Sequence, residues 1–265
     1  MTARTPNTAA TAAHERLFPG HVSTLAVTDP ELIEYFDNFA FDEVLRHTGD
    51  LDERTRLMTQ LAAMIAVGAL AEYRVMLGAA LSAGVTPVQV KEIVYQAVPY
   101  AGMARVFDFL HATNDVLTDR GVELPLEGQS TTGPDSRMEQ GVAVQKRIVG
   151  DSAVEGMYAN APAATQHFQR FLSGNCFGDH YTRTGLDVPT RELLTFALLA
   201  ALGGADSQVK GHVAANLNVG NTRATLLGVL TGLVPFIGYP RTLNALAAVD
   251  AAAPADDAAS SKEEA

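Results

Sequence analysis

The sequence predicts an all-α fold, on three observations. Apolar stretches rich in Ala and Leu each run over about ten residues, at 57–67, 88–98, 193–202 and 225–233, and such composition favours buried helices over strands. Helix-capping patterns occur, while strand patterns are almost absent. Hydrophobic residues make up 47% of the 265 residues and charged ones 18%, which is the composition of a globular protein.

The segments outside these apolar stretches predict tails, helix starts and a linker. Residues 1–23 and 251–265 offer little to bury and predict mobile or disordered tails. Thr28-Asp-Pro-Glu31 and Ser136-Arg-Met-Glu139 have the spacing of a capping box, in which a hydroxyl and a carboxylate satisfy the free amides of a first helical turn. Residues 121–134 are rich in loop-forming residues and predict a linker.

The two halves of the chain repeat one pattern. Residues 51–57 fall on 186–192 at an offset of 135, and 98–102 fall on 234–238 at an offset of 136. Two copies of one helical unit should pack about a pseudo-twofold axis. The two predicted domains are 24–120 and 135–250.

The second unit carries a recognisable pattern at 176–194, in Gly211-His-Val-Ala-Ala and in Pro235-Phe-Ile-Gly-Tyr-Pro. These residues resemble the carboxymuconolactone decarboxylase family of the alkylhydroperoxidase-like superfamily, and residues 36–120 look like a more divergent copy. The resemblance implies all-helical domains that assemble into trimers or hexamers. A tandem chain would then form a homotrimer that resembles a hexamer of single domains. The resemblance also implies a role such as aromatic catabolism.

Thiol peroxidases of that superfamily carry a Glu, a Cys-x-x-Cys pair and a His four residues later. The matching positions here are Glu192, Ala205, Gln208 and His212 in the second unit, and Leu57, Ala69, Glu72 and Met76 in the first. Both cysteines are missing, so thiol peroxidase chemistry is not expected. The single cysteine, Cys176, excludes an intrachain disulfide, favours a reducing cytoplasm and is taken to lie away from the site.

Glu192 and His212 are also candidates on physical grounds. They lie 11 residues before and 8 residues after the Gly203-Gly204 turn, so an antiparallel helix pair would bring them within about one turn of each other. His212 and Asn216 lie on an apolar helix stripe, where an unpaired polar group costs roughly 1–3 kcal/mol. The alternative is that His212 is a hydrogen-bonded core residue and Glu192 a favourable helix-terminal charge.

The leading hypothesis is a cofactor-free decarboxylase of a small carboxylated lactone or oxo acid. His212 would deliver a proton to carbon and Glu192 would orient or recharge it. Arg183 and Arg191, with Asn216, would bind the anionic substrate, whereas Tyr181 is interpreted as structural. The spacing of His and carboxylate residues predicts no metal site, and no dinucleotide or phosphate-loop motif suggests a cofactor.

Two other functions stay open: an isomerase, cyclase or lactone-processing enzyme of a biosynthetic or catabolic pathway, and a non-catalytic binding or assembly protein. The formal charge of −11 argues against nucleic acid and anionic lipid as partners. With neither a signal peptide nor an apolar run of about 18–20 residues, the chain is expected to be soluble and cytoplasmic. The family resemblance implies that it is a homo-oligomer.

Overall fold

Helices account for all the regular structure of the described residues, 5–21 and 23–254, in a computed structural model of the chain. No strand occurs among those residues, so the all-α prediction is confirmed. The α-helices are α1 (Thr8–Leu17), α2 (Leu25–Thr28), α3 (Pro30–Asn38), α4 (Glu53–Val67), α5 (Leu70–Ser82), α6 (Pro87–Ala101), α7 (Met103–Asp119), α8 (Arg137–Val149), α9 (Asp151–Asn160), α10 (Gln166–Phe171), α11 (Val188–Leu202), α12 (Asp206–Asn218), α13 (Arg223–Ile237) and α14 (Tyr239–Ala252). Two π-helical segments, Phe39–Glu43 and Leu172–Tyr181, and a 3-10 turn, Leu45–His47, complete the order.

The tandem repeat is visible in the helix boundaries. Helix α11 begins and ends 135 residues after α4, while α12 and α13 follow α5 and α6 at 136. The added residue falls at the glycine turn after Leu202, where Gly203 and Gly204 both have φ near +70°. Each unit therefore contributes the same run of four helices, α4–α7 and α11–α14.

The two units share one hydrophobic core. The equivalent helices α4 and α11 pack against each other at its centre, α6 packs on α11, and α13 packs on α4. Leu57, Leu61 and Ile65 of α4 are fully buried in the same cluster as Leu194 and Leu198 of α11. Each unit therefore buries its apolar faces against the other, and the centre of the molecule is an interface between the repeats.

Part of the predicted N-terminal tail is a packed helix. Helix α1 begins after Asn7, whose side chain accepts a hydrogen bond from the Ala10 amide at 2.9 Å. Ala10 and Leu17 are buried in the core, and a run of small residues in the sequence concealed this contact. Of the predicted tail at 251–265, α14 extends to Ala252, and residues 255–265 lie outside the described residues, as do 1–4.

Neither predicted capping box forms. Thr28 is the last residue of α2, Asp29 is the N-cap of α3, and the Asp29 side chain makes no cap hydrogen bond. Ser136 is the N-cap of α8 but accepts from the Gly133 amide instead. In both cases the local pattern located a helix start within two residues and assigned the wrong hydrogen bond.

Helix α8 and the π-helical segment Leu172–Tyr181 are in backbone contact through two glycines. A Cβ placed on Gly141 would lie 2.0 Å from the Ser173 carbonyl oxygen, and one on Gly178 would lie 2.2 Å from the Arg137 carbonyl oxygen. Only glycine permits so close an approach. The contact fixes the segment that carries Cys176 and Tyr181.

Replacing Gly141 with Ala is expected to destabilise the protein by about 1–3 kcal/mol, because the added methyl must push two backbones apart. Gly156, inside α9, is the matched control, since its Cβ would meet nothing closer than 3.9 Å. Gly156→Ala should leave stability unchanged or raise it slightly. Urea unfolding followed by circular dichroism measures both, and equal midpoints for the two variants would contradict the close contact.

No helix of the described residues is both long enough and apolar enough to cross a bilayer.

Candidate active site

Glu192 and His212 are in direct contact, as their spacing predicts. Glu192 of α11 is fully buried, while 18% of the His212 side chain on α12 is exposed. The Nδ1 atom of His212 lies 2.8 Å from Oε2 of Glu192. Since a carboxylate only accepts, Nδ1 carries the proton in this contact and Nε2 is the ring atom left for other chemistry. Within the described part of the chain, no side chain or backbone group bonds that Nε2 atom.

The other carboxylate oxygen of Glu192 is bound by a tyrosine that the sequence analysis treated as structural. The Tyr181 hydroxyl donates to Oε1 of Glu192 at 2.6 Å. Since that uses its one proton, the hydroxyls of Thr195 at 2.8 Å and Tyr100 at 3.0 Å donate to the Tyr181 oxygen. Every hydrogen of this network thus points towards Glu192.

The first unit supplies two members of the network from α6. Gln96 is buried and donates to the Thr195 hydroxyl at 3.2 Å. The Tyr100 ring stands edge-on to the His212 ring, with centroids 5.7 Å apart. Tyr100 is partly exposed, like His212, so these two side chains form the accessible side of the cluster. The site is therefore completed across the interface between the two repeats.

Burial keeps the phenols of this cluster neutral. It raises the pKa of Tyr181 and of Tyr100 well above the ordinary value, and the neighbouring Glu192 charge adds to the shift at both. A neutral phenol remains a hydrogen-bond donor at physiological pH. Both phenols therefore keep their protons, and the hydrogen bonds from Tyr100 to Tyr181 and from Tyr181 to Glu192 stay intact at neutral pH.

Cys176 belongs to the cluster rather than lying away from it. Its thiol donates to the Tyr100 hydroxyl at 3.7 Å, and only 5% of the residue is exposed. Burial is the main cause that raises the pKa of Cys176 to about 12. The thiol is protonated at neutral pH, so it is not the thiolate that peroxide reduction requires.

Cys176 is consequently expected to resist alkylation. With a pKa of about 12, only roughly one thiol in 10⁴ is ionised at pH 8. Iodoacetamide at pH 8 should label the unfolded chain within minutes and leave the folded chain unlabelled for hours, as read by intact mass. Rapid labelling of the folded chain would show an accessible thiolate and contradict this account.

Arg191 does not face the site as a free cation, which weighs against its predicted role as a substrate anchor. It is fully buried and donates to Oε2 of Glu92 at 2.8 Å and to Oε1 of Gln96 at 3.1 Å. It also donates to the carbonyl oxygens of Arg183 and Thr184. These bonds engage both terminal nitrogens of the guanidinium, while its buried Nε has no hydrogen-bond partner among the described residues, so Arg191 positions α6 against α11.

Arg183 and Asn216 likewise have protein partners. Arg183 donates from Nε and Nη2 to Glu92 at 2.8–3.1 Å, and it lines a cavity whose wall includes neither Glu192 nor His212. Asn216 is fully buried and donates to the carbonyl oxygens of Glu192 at 3.2 Å and His212 at 2.7 Å. Asn216 therefore ties the two candidate catalytic helices together rather than contacting a ligand.

The sequence analysis missed Tyr100, Thr195 and Gln96. One usable signal existed: Gln96 and Thr195 are polar residues at inward positions of strongly apolar helices, and buried polar groups are paired. The two residues bond each other although they are 99 residues apart in the chain, and no local pattern reveals such a pair.

A second apolar cluster covers the network. Ile148 and Val144 of α8 pack beside Cys176, Tyr181 and Ala215. The network is therefore shielded from water on the side away from His212, which strengthens its electrostatic interactions. No group of three or more His, Cys, Asp or Glu side chains suited to a metal is found within residues 5–21 and 23–254.

Comparison with known proteins shows two matches to one family along the chain. Residues 30–115 and 166–251 each match the carboxymuconolactone decarboxylase family. A relative from Acinetobacter baylyi, described as a 4-carboxymuconolactone decarboxylase, is 32% identical over 106 residues, which cover 40% of this chain and 78% of the relative. Helices α8 and α9 lie between the two matched regions. Of these, α8 carries the apolar side chains that cover the network.

Proposed function

The chain belongs to the carboxymuconolactone decarboxylase family, and on that premise we propose that it is a cofactor-free decarboxylase of a small carboxylated lactone or a related oxo acid. The observation that carries the proposal is the buried Glu192 bound to Nδ1 of the half-buried His212. This pair presents Nε2 for proton transfer at the accessible side of the cluster, which is what the last step of a decarboxylation requires.

The reaction needs one electron sink and one proton. Cleavage of the bond to the carboxylate releases carbon dioxide and leaves an electron pair on carbon, which a neighbouring lactone carbonyl can take up as an enolate. The imidazolium of His212 then donates the Nε2 proton to the enolate carbon next to that carbonyl, and the carbonyl re-forms. Glu192 stabilises the imidazolium through Nδ1 before the transfer. His212 regains its proton from water, to which it is partly exposed.

Tyr100 is suited to stabilise the enolate, because its hydroxyl can turn its one proton from the Tyr181 oxygen to the substrate. Its hydroxyl is neutral because burial raises its pKa, and its ring lies against His212. A donor preorganised at the developing oxyanion acts only when charge appears there, so it lowers the barrier rather than strengthening substrate binding. Tyr181 acts differently, because it is buried and its proton is given to Glu192. It is a positioning residue.

The buried arginines fit this scheme better as structural groups than as carboxylate anchors. An arginine that ion-paired the leaving carboxylate would stabilise the substrate and lose that interaction as carbon dioxide departs, which raises the barrier. Arg191 is instead paired with Glu92.

The test is turnover of 4-carboxymuconolactone by the full chain in D₂O. The proposal expects one carbon dioxide per substrate and one deuterium at the ring carbon next to the lactone carbonyl, where the enolate is protonated. Deuterium exchange or ring rearrangement without carbon dioxide would assign an isomerase or lactone-processing activity to the same pair. Neither reaction, with related lactones and oxo acids also inert, would favour a binding or assembly protein.

We also propose a trimer that places six helical units around one axis. Exposed apolar side chains on α10 and α14 support such an assembly, since a partner subunit would remove them from water. They include Phe168, Phe171, Tyr239 and Leu243, each more than half exposed. Light scattering should give three times the chain mass of 28.1 kDa. We also propose that the protein works in the reducing cytoplasm.

A further inference from the structure

A cavity lies between α6 and the linker, and we propose that it binds a small cyclic or aromatic carboxylate at a site separate from His212. Its volume is about 310 Å³, within the range of pockets that hold small organic ligands. It lies between α6, the 124–129 segment of the linker and Arg183. The wall is formed by Val88, Lys91, Glu92, Tyr95, Asn114, Leu124, Pro125, Leu126, Glu127, Gly128, Gln129 and Arg183.

Lys91 is the first reason to expect an anion. Its Nζ lies 2.6 Å from Oδ1 of Asn114 and 5.5 Å from the centre of the Tyr95 ring. Among the described residues no carboxylate lies within ion-pairing distance of Lys91. Burial lowers the pKa of Lys91, which means that the ammonium is partly stripped of water and has no counter-charge. A ligand carboxylate would supply the missing charge.

The rest of the cluster has an excess of positive charge as well. Arg183 stacks on the same Tyr95 ring at 5.0 Å, and its guanidinium shares Glu92 with Arg191. Glu92 is 1% exposed and is the shared carboxylate partner of the two arginines, which leaves Lys91 without one. The other acid at the cavity, Glu127, is exposed on the linker and solvated. The local field therefore favours an anion although the whole chain is acidic.

The apolar part of the wall defines the remainder of the ligand. Leu124, Pro125 and Leu126 of the linker face Val88 of α6, and the Tyr95 ring adds an aromatic surface. This combination of apolar walls and two cations at one ring suits a compact ring that carries a carboxylate. A phosphate alone would leave the apolar wall in contact with water.

The cavity is held in shape before any ligand arrives. The backbone amide and hydroxyl of Thr184 bond the carbonyl and side chain of Gln129, which fastens the linker to the loop after Tyr181. Next to it, a Cβ on Gly185 would lie 2.8 Å from Val88, and its φ of +88° favours glycine. A preformed site loses less entropy on binding.

Only the first unit has this chemistry. The positions equivalent to Lys91, Glu92 and Tyr95 in α13 are Leu227, Gly228 and Thr231, which carry no charge. The cavity is therefore not a general consequence of the repeated fold.

The experiment is calorimetric titration of the full chain with benzoate at low ionic strength, with methyl benzoate as the uncharged comparison. We expect one saturable site for benzoate and binding of methyl benzoate at least 10-fold weaker. Lys91→Met should weaken benzoate binding at least 10-fold, and Lys91→Arg should retain it. Lys146→Met is the matched control, because Lys146 pairs with Glu155 on the surface and its loss should leave the affinity unchanged.

His212→Ala locates the binding independently of any reaction. The proposal expects benzoate to bind His212→Ala as it binds the wild type. Undiminished binding to a folded Lys91→Met variant, loss of binding only in His212→Ala, or no binding of benzoate at 10 mM would each overturn it. Because the titration involves no turnover, an inactive chain would leave the result intact, and a failed titration would leave the decarboxylase proposal standing.

Discussion

Replacing His212 with Ala is expected to lower kcat for decarboxylation by about 10²–10⁴-fold, the usual contribution of a positioned general acid. The variant removes the one ring nitrogen that faces the accessible side of the cluster, while Glu192 keeps its bond from Tyr181. KM should change far less than kcat, because the proton is transferred only after the substrate has bound. Stopped-flow or initial-rate measurement of lactone loss tests both constants.

Two variants bracket this result. His111 is exposed and its ring lies against the Phe107 ring on its own helix, so His111→Ala should retain full activity and show that loss of a histidine is not itself harmful. Glu192→Gln keeps the shape of the pair but removes the charge that stabilises the imidazolium, and it should lower kcat by a smaller factor than His212→Ala. Wild-type turnover by a folded His212→Ala variant would end the proposed mechanism.

The Glu192–His212 contact was predictable because it depends on local regularities. Two helices joined by a glycine turn run antiparallel, and a rise of 1.5 Å per residue places the two residues at similar distances from the turn. Helix spacing does not predict the positions of Tyr100 or Gln96, because they depend on the packing of α6, from the first unit, against α11, from the second. Tertiary contacts between elements about 100 residues apart set those positions.

Arg191 shows the opposite error. Arg191 was a candidate anchor for an anionic substrate, and the alternative was that it is solvated, as most arginines are. Its partner Glu92 is 99 residues away, inside an apolar helix where a carboxylate was unexplained. The pairing of the two explains both residues at once, since a buried charge is tolerated only with a partner.

Comparison of the two halves shows why a single site results from a repeated fold. Arg56 of α4 is the counterpart of Arg191, and it is also buried. In α13 the counterparts of Glu92 and Gln96 are Gly228 and Gly232, and a Cβ on Gly228 would lie 2.5 Å from the Thr48 carbonyl oxygen. In the second unit, α13 is thus in close contact with the backbone at Thr48. Where α6 packs on α11, by contrast, the contact contains Glu92 and Gln96, and these polar groups support the Glu192–His212 pair.

Replacing Glu92 with Ala is expected to destabilise the protein by about 3–5 kcal/mol, the largest stability effect of any change considered. Glu92 is the shared partner of Arg183 and of the fully buried Arg191, and burial already lowers the pKa of Arg191. Removing the carboxylate leaves that guanidinium in the core without its counter-charge. For a chain of this size the loss corresponds to a fall in Tm of roughly 10 °C.

The exposed pair between Arg74 and Asp115 is the matched control. Its side chains are 43% and 57% exposed, so water screens the pair and Asp115→Ala should cost at most about 1 kcal/mol. Urea unfolding compares the two variants under one condition. An effect of Glu92→Ala as small as that of Asp115→Ala would mean that water reaches Arg191 at the interface of the repeats. Gln96 bonds both Arg191 and Thr195. If water reached Arg191, the hydrogen bonds by which Gln96 supports the active-site network would not be shielded from solvent.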